Sequence, residues 1–102
     1  MRGAEGYAAF AAGKAGLRGV AQSLARELGP KNIHVGHLII DAGVDTEFVR
    51  ERIRSSGKDP NELPPNTLMN PTSVAEAYWN MYKQSPDAWT FEMDLRPFAE
   101  NW

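Results

Sequence analysis

Ile33 to Ile40, IHVGHLII, is the stretch whose reading decides the fold. It is rich in β-branched and aliphatic side chains and ends in an unbroken apolar run, the pattern of a strand buried on both faces inside a parallel sheet. A strand of that kind needs helices over it, and helical patterns flank it. Upstream, Gly6 to Leu28, GYAAFAAGKAGLRGVAQSLAREL, carries Leu17, Val20, Ala21, Leu24 and Leu28 at the spacing of a buried helical stripe, with Arg18, Gln22, Arg26 and Glu27 largely outside it. Gly29-Pro30 closes this helix, because glycine takes the left-handed cap position and proline cannot continue the helix. Gly13, Gly16 and Gly19 each cost roughly 1 kcal/mol of helix propensity against alanine, so their repetition predicts a close approach to the helix backbone. Phe10 and Lys14 lie one turn apart and share a face.

Downstream of the strand, Asp41-Ala42-Gly43-Val44-Asp45-Thr46 is a polar, glycine-containing loop. Asp45 or Thr46 can cap a short helix over Glu47 to Arg54, whose apolar side is Phe48, Val49 and Ile53. Ser55 to Asn70 holds Gly57, Pro60, Pro64 and Pro65 among polar residues and reads as irregular and surface-lying. Asn70-Pro71 then supplies an N-cap and an N1 proline to a second clear helix, with Val74, Ala75, Tyr78, Met81 and Tyr82 as its buried stripe and Ser85-Pro86 as its stop. In Trp89 to Leu95, apolar Trp89, Phe91, Met93 and Leu95 alternate with Thr90, Glu92 and Asp94, as in a strand with one face buried at a sheet edge. Strand, crossover helix, strand is a βαβ unit, which predicts parallel strands and a right-handed connection. The expected class is α/β.

Composition sets the outer limits. A chain of 102 residues is one domain at most, able to bury roughly 60 to 65% of its unfolded surface. Hydrophobic content of 42% with 24% charged residues is ordinary for a globular protein. A formal net charge of -2 gives no electrostatic reason to expect nucleic acid or an anionic membrane surface. With no cysteine there is neither a disulfide framework nor a thiolate metal site, and no signal peptide or spanning apolar run is recognisable. The expectation is a soluble, cytoplasmic chain.

Other chemistry-bearing residues have plainer readings. His34 and His37 point to opposite faces of a strand and cannot chelate one ion, so no metal site is expected. Glu92 and Asp94 share a strand face but lack a third partner, which favours a solvated edge or contacts to a neighbouring chain. Tyr78, Trp79, Tyr82, Trp89 and Phe91 suit helix-on-strand packing or a subunit interface better than a ligand cage. Arg50, Arg52 and Arg54, alternating with Glu51, look like an exposed helix surface.

Taken together, the order of elements and the residues Phe10 to Leu17 (FAAGKAGL), Ala25 to Val35 (ARELGPKNIHV) and Ala42 to Thr46 (AGVDT) resemble the C-terminal half of a short-chain dehydrogenase/reductase. The resemblance covers nearly the whole chain. It implies the C-terminal part of a Rossmann-like, doubly wound parallel sheet, with 1–102 as a single partial domain and 55–70 as its substrate loop. It also implies that the complete form binds NAD or NADP and acts on a carbonyl or alcohol. Lys14 falls on the family's lysine, which binds the nicotinamide ribose and lowers the pKa of the catalytic phenol. Gly43, Val44 and Thr46 match the loop that contacts the nicotinamide carboxamide, with Ala42 where the family has proline.

Phe10 occupies the position of the family's catalytic tyrosine and has no proton to give. Tyr7, one turn earlier, is the nearest substitute. The family's glycine-rich phosphate turn and catalytic serine have no candidates here, so no cofactor is expected to bind this chain alone. The family also pairs the helix at 6–28 and the last helix and strand across subunit interfaces, which implies a homo-oligomer, a dimer at least. The alternatives are a non-catalytic dimerisation or interaction module, and a pseudoenzyme that has lost the tyrosine.

Overall fold

The computed structural model describes residues 8–98. In chain order they form α1 (Ala8–Leu28), a 3-10 turn (Gly29–Lys31), β1 (His37–Ile40), α2 (Glu47–Ser55), a second 3-10 turn (Pro60–Glu62), α3 (Pro71–Tyr82) and β2 (Glu92–Leu95). β1 and β2 pair in a two-stranded sheet. The His37 N–H donates to Phe91 O at 2.7 Å and the Asp41 N–H to Leu95 O at 3.0 Å. Acceptor numbers rise with donor numbers, so the strands are parallel and the class is α/β, as the βαβ order predicts, consistent with the Rossmann-like part that the resemblance implies.

The chain divides into two compact units. Of the described residues, one takes 8–39 and 80–94, the other 40–79 and 95–98. In the first, Met81 from the end of α3 lies over the chain at Gly36, where a Cβ would stand 2.1 Å from Met81 Sδ. Only a residue without a side chain lets that helix end settle, and this contact, with Ile39, forms the buried apolar centre. In the second, a Cβ at Gly43 would meet Leu68 Cδ2 at 2.9 Å and Val49 Cγ1 at 3.2 Å, so the loop backbone packs directly onto apolar side chains.

The ladder is shorter than the apolar run. Residues 33–36 stay outside it, and in β1 only His37 and Ile39 are buried while Ile40 is exposed, so the strand is covered on one face rather than two. With one hydrogen-bonded neighbour in the described sheet, the strand is not flanked on both edges, and Ile33 and Ile40 at the ends of the run are exposed.

The helices differ from their predicted stripes in the same sense. α1 has no buried residue; Leu17 and Val20 are 53% and 58% exposed, and only positions such as Ala21 and Leu28 are half-buried. Nothing lies within 4 Å of a Cβ built at Gly13, Gly16 or Gly19, so the expected close approach is absent among the described residues. In α3 the inward seam is Val74, Ala77 and Met81, whereas Ala75, Tyr78 and Tyr82 of the predicted stripe are exposed.

Capping is mostly as the residues dictate. Asn70 Oδ1 accepts from the Thr72 N–H at 2.8 Å with Pro71 opening α3. Thr46, not Asp45, caps α2, its Oγ1 accepting from the Val49 N–H at 3.3 Å. At the end of α1 the left-handed residue is Asn32, at φ 62°, rather than Gly29. Gly29-Pro30 opens the 3-10 turn, and the Asn32 and Ile33 N–H groups return to Gly29 O and Leu28 O at 2.9 and 3.2 Å.

Candidate functional site

Two groups of residues carry the candidate chemistry, one in each unit. In the first unit Phe10 and Lys14 sit on the exposed face of α1, with Lys14 Nζ 5.5 Å from the centroid of the Phe10 ring. That is a cation over an aromatic face, held by the one-turn spacing of the helix. Tyr7 lies outside the described residues.

In the second unit the loop Gly43 to Thr46 is held on both sides. Its backbone pairs with Met69, which donates to Gly43 O at 2.9 Å and accepts from the Asp45 N–H at 2.7 Å, forming an isolated parallel bridge between Val44 and Met69. Its far end is fastened to α2 by the Thr46 cap, and the Thr46 hydroxyl also lies 3.4 Å from Val44 O. The loop is therefore held along its length by its own hydrogen bonds, to Met69 on one side and to the start of α2 on the other.

Arg50, read from sequence as part of an exposed helix surface, is instead the clasp of this loop. Its Nε and Nη2 donate to Asp45 Oδ1 and Oδ2 at 2.6 and 3.2 Å, and its Nη1 donates to Asn61 Oδ1 at 2.9 Å. The Arg50 hydrogen bond holds the Asp45 carboxyl below the usual carboxylate range, and Asp45 raises Arg50 in turn. Arg52 and Arg54 do stay on the surface, over Phe48 and against Glu47 and Glu51. The clasp lines a polar groove of about 250 Å³ shared with Leu63, Pro64 and Asn66. Its one sequence signal is an aspartate next to a helix cap with an arginine one turn into the helix.

Glu92 is exposed on β2, in keeping with the expected solvated edge, and it is also paired: Arg18 Nε donates to its Oε2, and Nδ1 of the buried His37 lies 3.4 Å from the same oxygen without hydrogen-bond geometry. Arg18 also lies over the Phe91 ring, 5.8 Å from its centroid. The Arg18 hydrogen bond lowers the Glu92 pKa from its ordinary 4.5. A carboxyl lowered on folding contributes stability that is present above its unfolded value and is lost as pH falls through the folded value. Between pH 6 and pH 3 the melting temperature of the wild type should therefore fall more than that of Glu92→Gln. Parallel curves for the two proteins would refute this account of Glu92.

His34 is engaged elsewhere, its Nε2 2.8 Å from Thr90 O and its ring stacked on Trp89 at 4.8 Å. Of the expected aromatic cluster, Trp89 packs on a histidine and Phe91 on an arginine, while Tyr78, Trp79 and Tyr82 on α3 are exposed.

No protein-family model and no curated protein matches the chain. Among solved structures it is similar to the crystal structure of a short-chain dehydrogenase from Rhodopseudomonas palustris, at 48% sequence identity with a TM-score of 0.64 over 96% of this chain. The match takes in 34% of the dehydrogenase, so the chain spans about a third of its length. That likeness, carried by both sequence and fold, supports a relationship between this chain and the short-chain dehydrogenases.

Proposed function

We propose that the complete protein is an NAD(P)-dependent oxidoreductase of the short-chain dehydrogenase/reductase type that acts on a carbonyl or an alcohol. The observation that carries this reading is the 48% identity to a short-chain dehydrogenase over nearly all of the chain. In one unit Lys14 offers an exposed ammonium, and in the other Gly43, Val44 and Thr46 form a hydrogen-bonded loop with one hydroxyl; the resemblance assigns the first to the nicotinamide ribose and the second to the carboxamide. The nucleotide, when bound, supplies or accepts the hydride. This chain's residues would orient it and stabilise charge at the reacting oxygen. The proton for that oxygen comes from a hydroxyl or water other than Phe10, with Tyr7 the nearest phenol in sequence.

Phe10 itself favours a second reading, a pseudoenzyme that keeps the cofactor site without turnover, or a non-catalytic dimerisation module. A homo-oligomer formed through α1 and through α3 with β2 accompanies either reading, supported by the exposed Leu17 and Val20. Among the described residues no helix is long and apolar enough to cross a membrane.

Titration calorimetry of the complete protein with NADH and NADPH, beside Lys14→Ala, tests the proposal. A wild type that binds one nucleotide and a variant that binds it about ten- to a hundredfold more weakly are expected, the range for losing charge-assisted hydrogen bonds. A wild type that binds neither nucleotide at millimolar concentration would refute it.

A further inference from the structure

We propose that Arg50 is a positioning residue that locks the loop 43–46 to the irregular segment 56–68, so that the cofactor-facing and substrate-facing parts of the site move as one. The inference rests on the functional reading above for what the two parts contact, and on geometry for the lock itself.

The geometry is specific. Arg50 stands one turn into α2, and its own N–H joins that helix by donating to Thr46 O at 2.9 Å. Its guanidinium folds back over the cap to take both oxygens of Asp45, and its remaining edge reaches Asn61. Asn61 is itself fixed, because its N–H donates to Asp59 Oδ1 at 2.9 Å at the start of the 3-10 turn Pro60–Glu62, where Pro60 is buried. The same segment ends at Met69, whose backbone pairs with Gly43 and Asp45.

The excursion from α2 to α3 is thus tied to the loop twice. One tie is backbone at its end; the other is a single side chain at its middle. A planar cation with donors on several edges can hold a carboxylate and an amide together, and a lysine ammonium cannot reproduce that fork. Without the middle tie, the hydrogen bonds seen along residues 58–67 among the described residues are local, such as the Thr67 hydroxyl to Pro64 O at 2.7 Å, and the buried Pro60 is the remaining anchor of that stretch. Those residues would then sample positions in which the polar groove is not formed.

The separable predictions follow from the two edges of Arg50. In the complete protein, Arg50→Ala should raise KM for both the carbonyl substrate and the nucleotide, the former about tenfold, with a smaller change in kcat. Asn61→Ala, which cuts only the segment side, should raise KM for the substrate and leave that for the nucleotide unchanged. Arg50→Lys should not restore the Arg50→Ala defect. Hydrogen exchange measured on the same proteins should accelerate at both 43–46 and 59–62 in Arg50→Ala.

A fall in melting temperature with both KM values and both exchange patterns unchanged would overturn the proposal, as would restoration by lysine. If the wild type turns over no carbonyl or alcohol, the functional reading fails by itself. Hydrogen exchange then decides the lock: acceleration at both segments in Arg50→Ala supports it, and acceleration at one or neither refutes it.

Discussion

Phe10→Tyr in the complete protein should raise carbonyl reduction by about a hundredfold or more, the lower end of what a positioned general acid contributes. The phenol would stand where Lys14 already faces the ring, at 5.5 Å from the ring centroid in the wild type. An ammonium that close favours the phenolate over the phenol, so the introduced hydroxyl should titrate below an ordinary tyrosine and be ready to exchange a proton near neutral pH. The position is 63% exposed in this chain. The measurement is kcat/KM over a panel of aldehydes and ketones as a function of pH. A new rising limb should appear in the oxidation direction and vanish again in Phe10→Tyr/Lys14→Ala. If the tyrosine variant is no faster than wild type, loss of the phenol is not what limits the protein, and the pseudoenzyme reading needs another cause.

Gly36→Ala should be the most damaging single-methyl change in the fold. A Cβ there would stand 2.1 Å from Met81 Sδ and 3.2 Å from Met81 Cε, well inside contact distance. The sulfur is not the free end of the side chain, and Met81 is 6% exposed, so it has little room to swing away. Overpacking of this kind costs about 1–3 kcal/mol, which in a domain of this size moves the melting temperature by roughly 4–8 °C for each kcal/mol. Urea denaturation of the single variants and of Gly36→Ala/Met81→Ala gives the decisive comparison. Removing the methionine should relieve the clash, so the double variant should be less destabilised than the sum of the singles. An unchanged urea midpoint in Gly36→Ala would show that α3 does not press on the chain at that point.

Both predictions show which parts of this protein are written locally. Caps and turns are of that kind: Asn70-Pro71 opens α3 and a residue of the Asp45-Thr46 pair caps α2, because each depends on side chains reaching backbone groups a few residues away. The face shared by Phe10 and Lys14 is likewise a matter of helical spacing. The parallel pairing of β1 with β2 could be read from the strand, helix, strand order.

What sequence reading missed depends on neighbours that it does not name. The apolar stripe of α1 predicts burial, yet a stripe states only which side is apolar and not whether a partner lies on it; Leu17 and Val20 are exposed. The same distinction shifts the inward seam of α3 to Val74, Ala77 and Met81 and leaves β1 covered on one face. The ion pairs went unread for a related reason. Arg18 and Glu92 are 74 positions apart, and no periodicity links them. Arg50 and Asn61 are joined across a loop whose path no local propensity specifies. Sequence alone determined where the main helices and strands fall and how α2 and α3 start, because these are set by interactions within a few residues. Only the tertiary structure decided which apolar faces are covered, which charges are paired and that one arginine ties two loops together, because those depend on which distant segments meet.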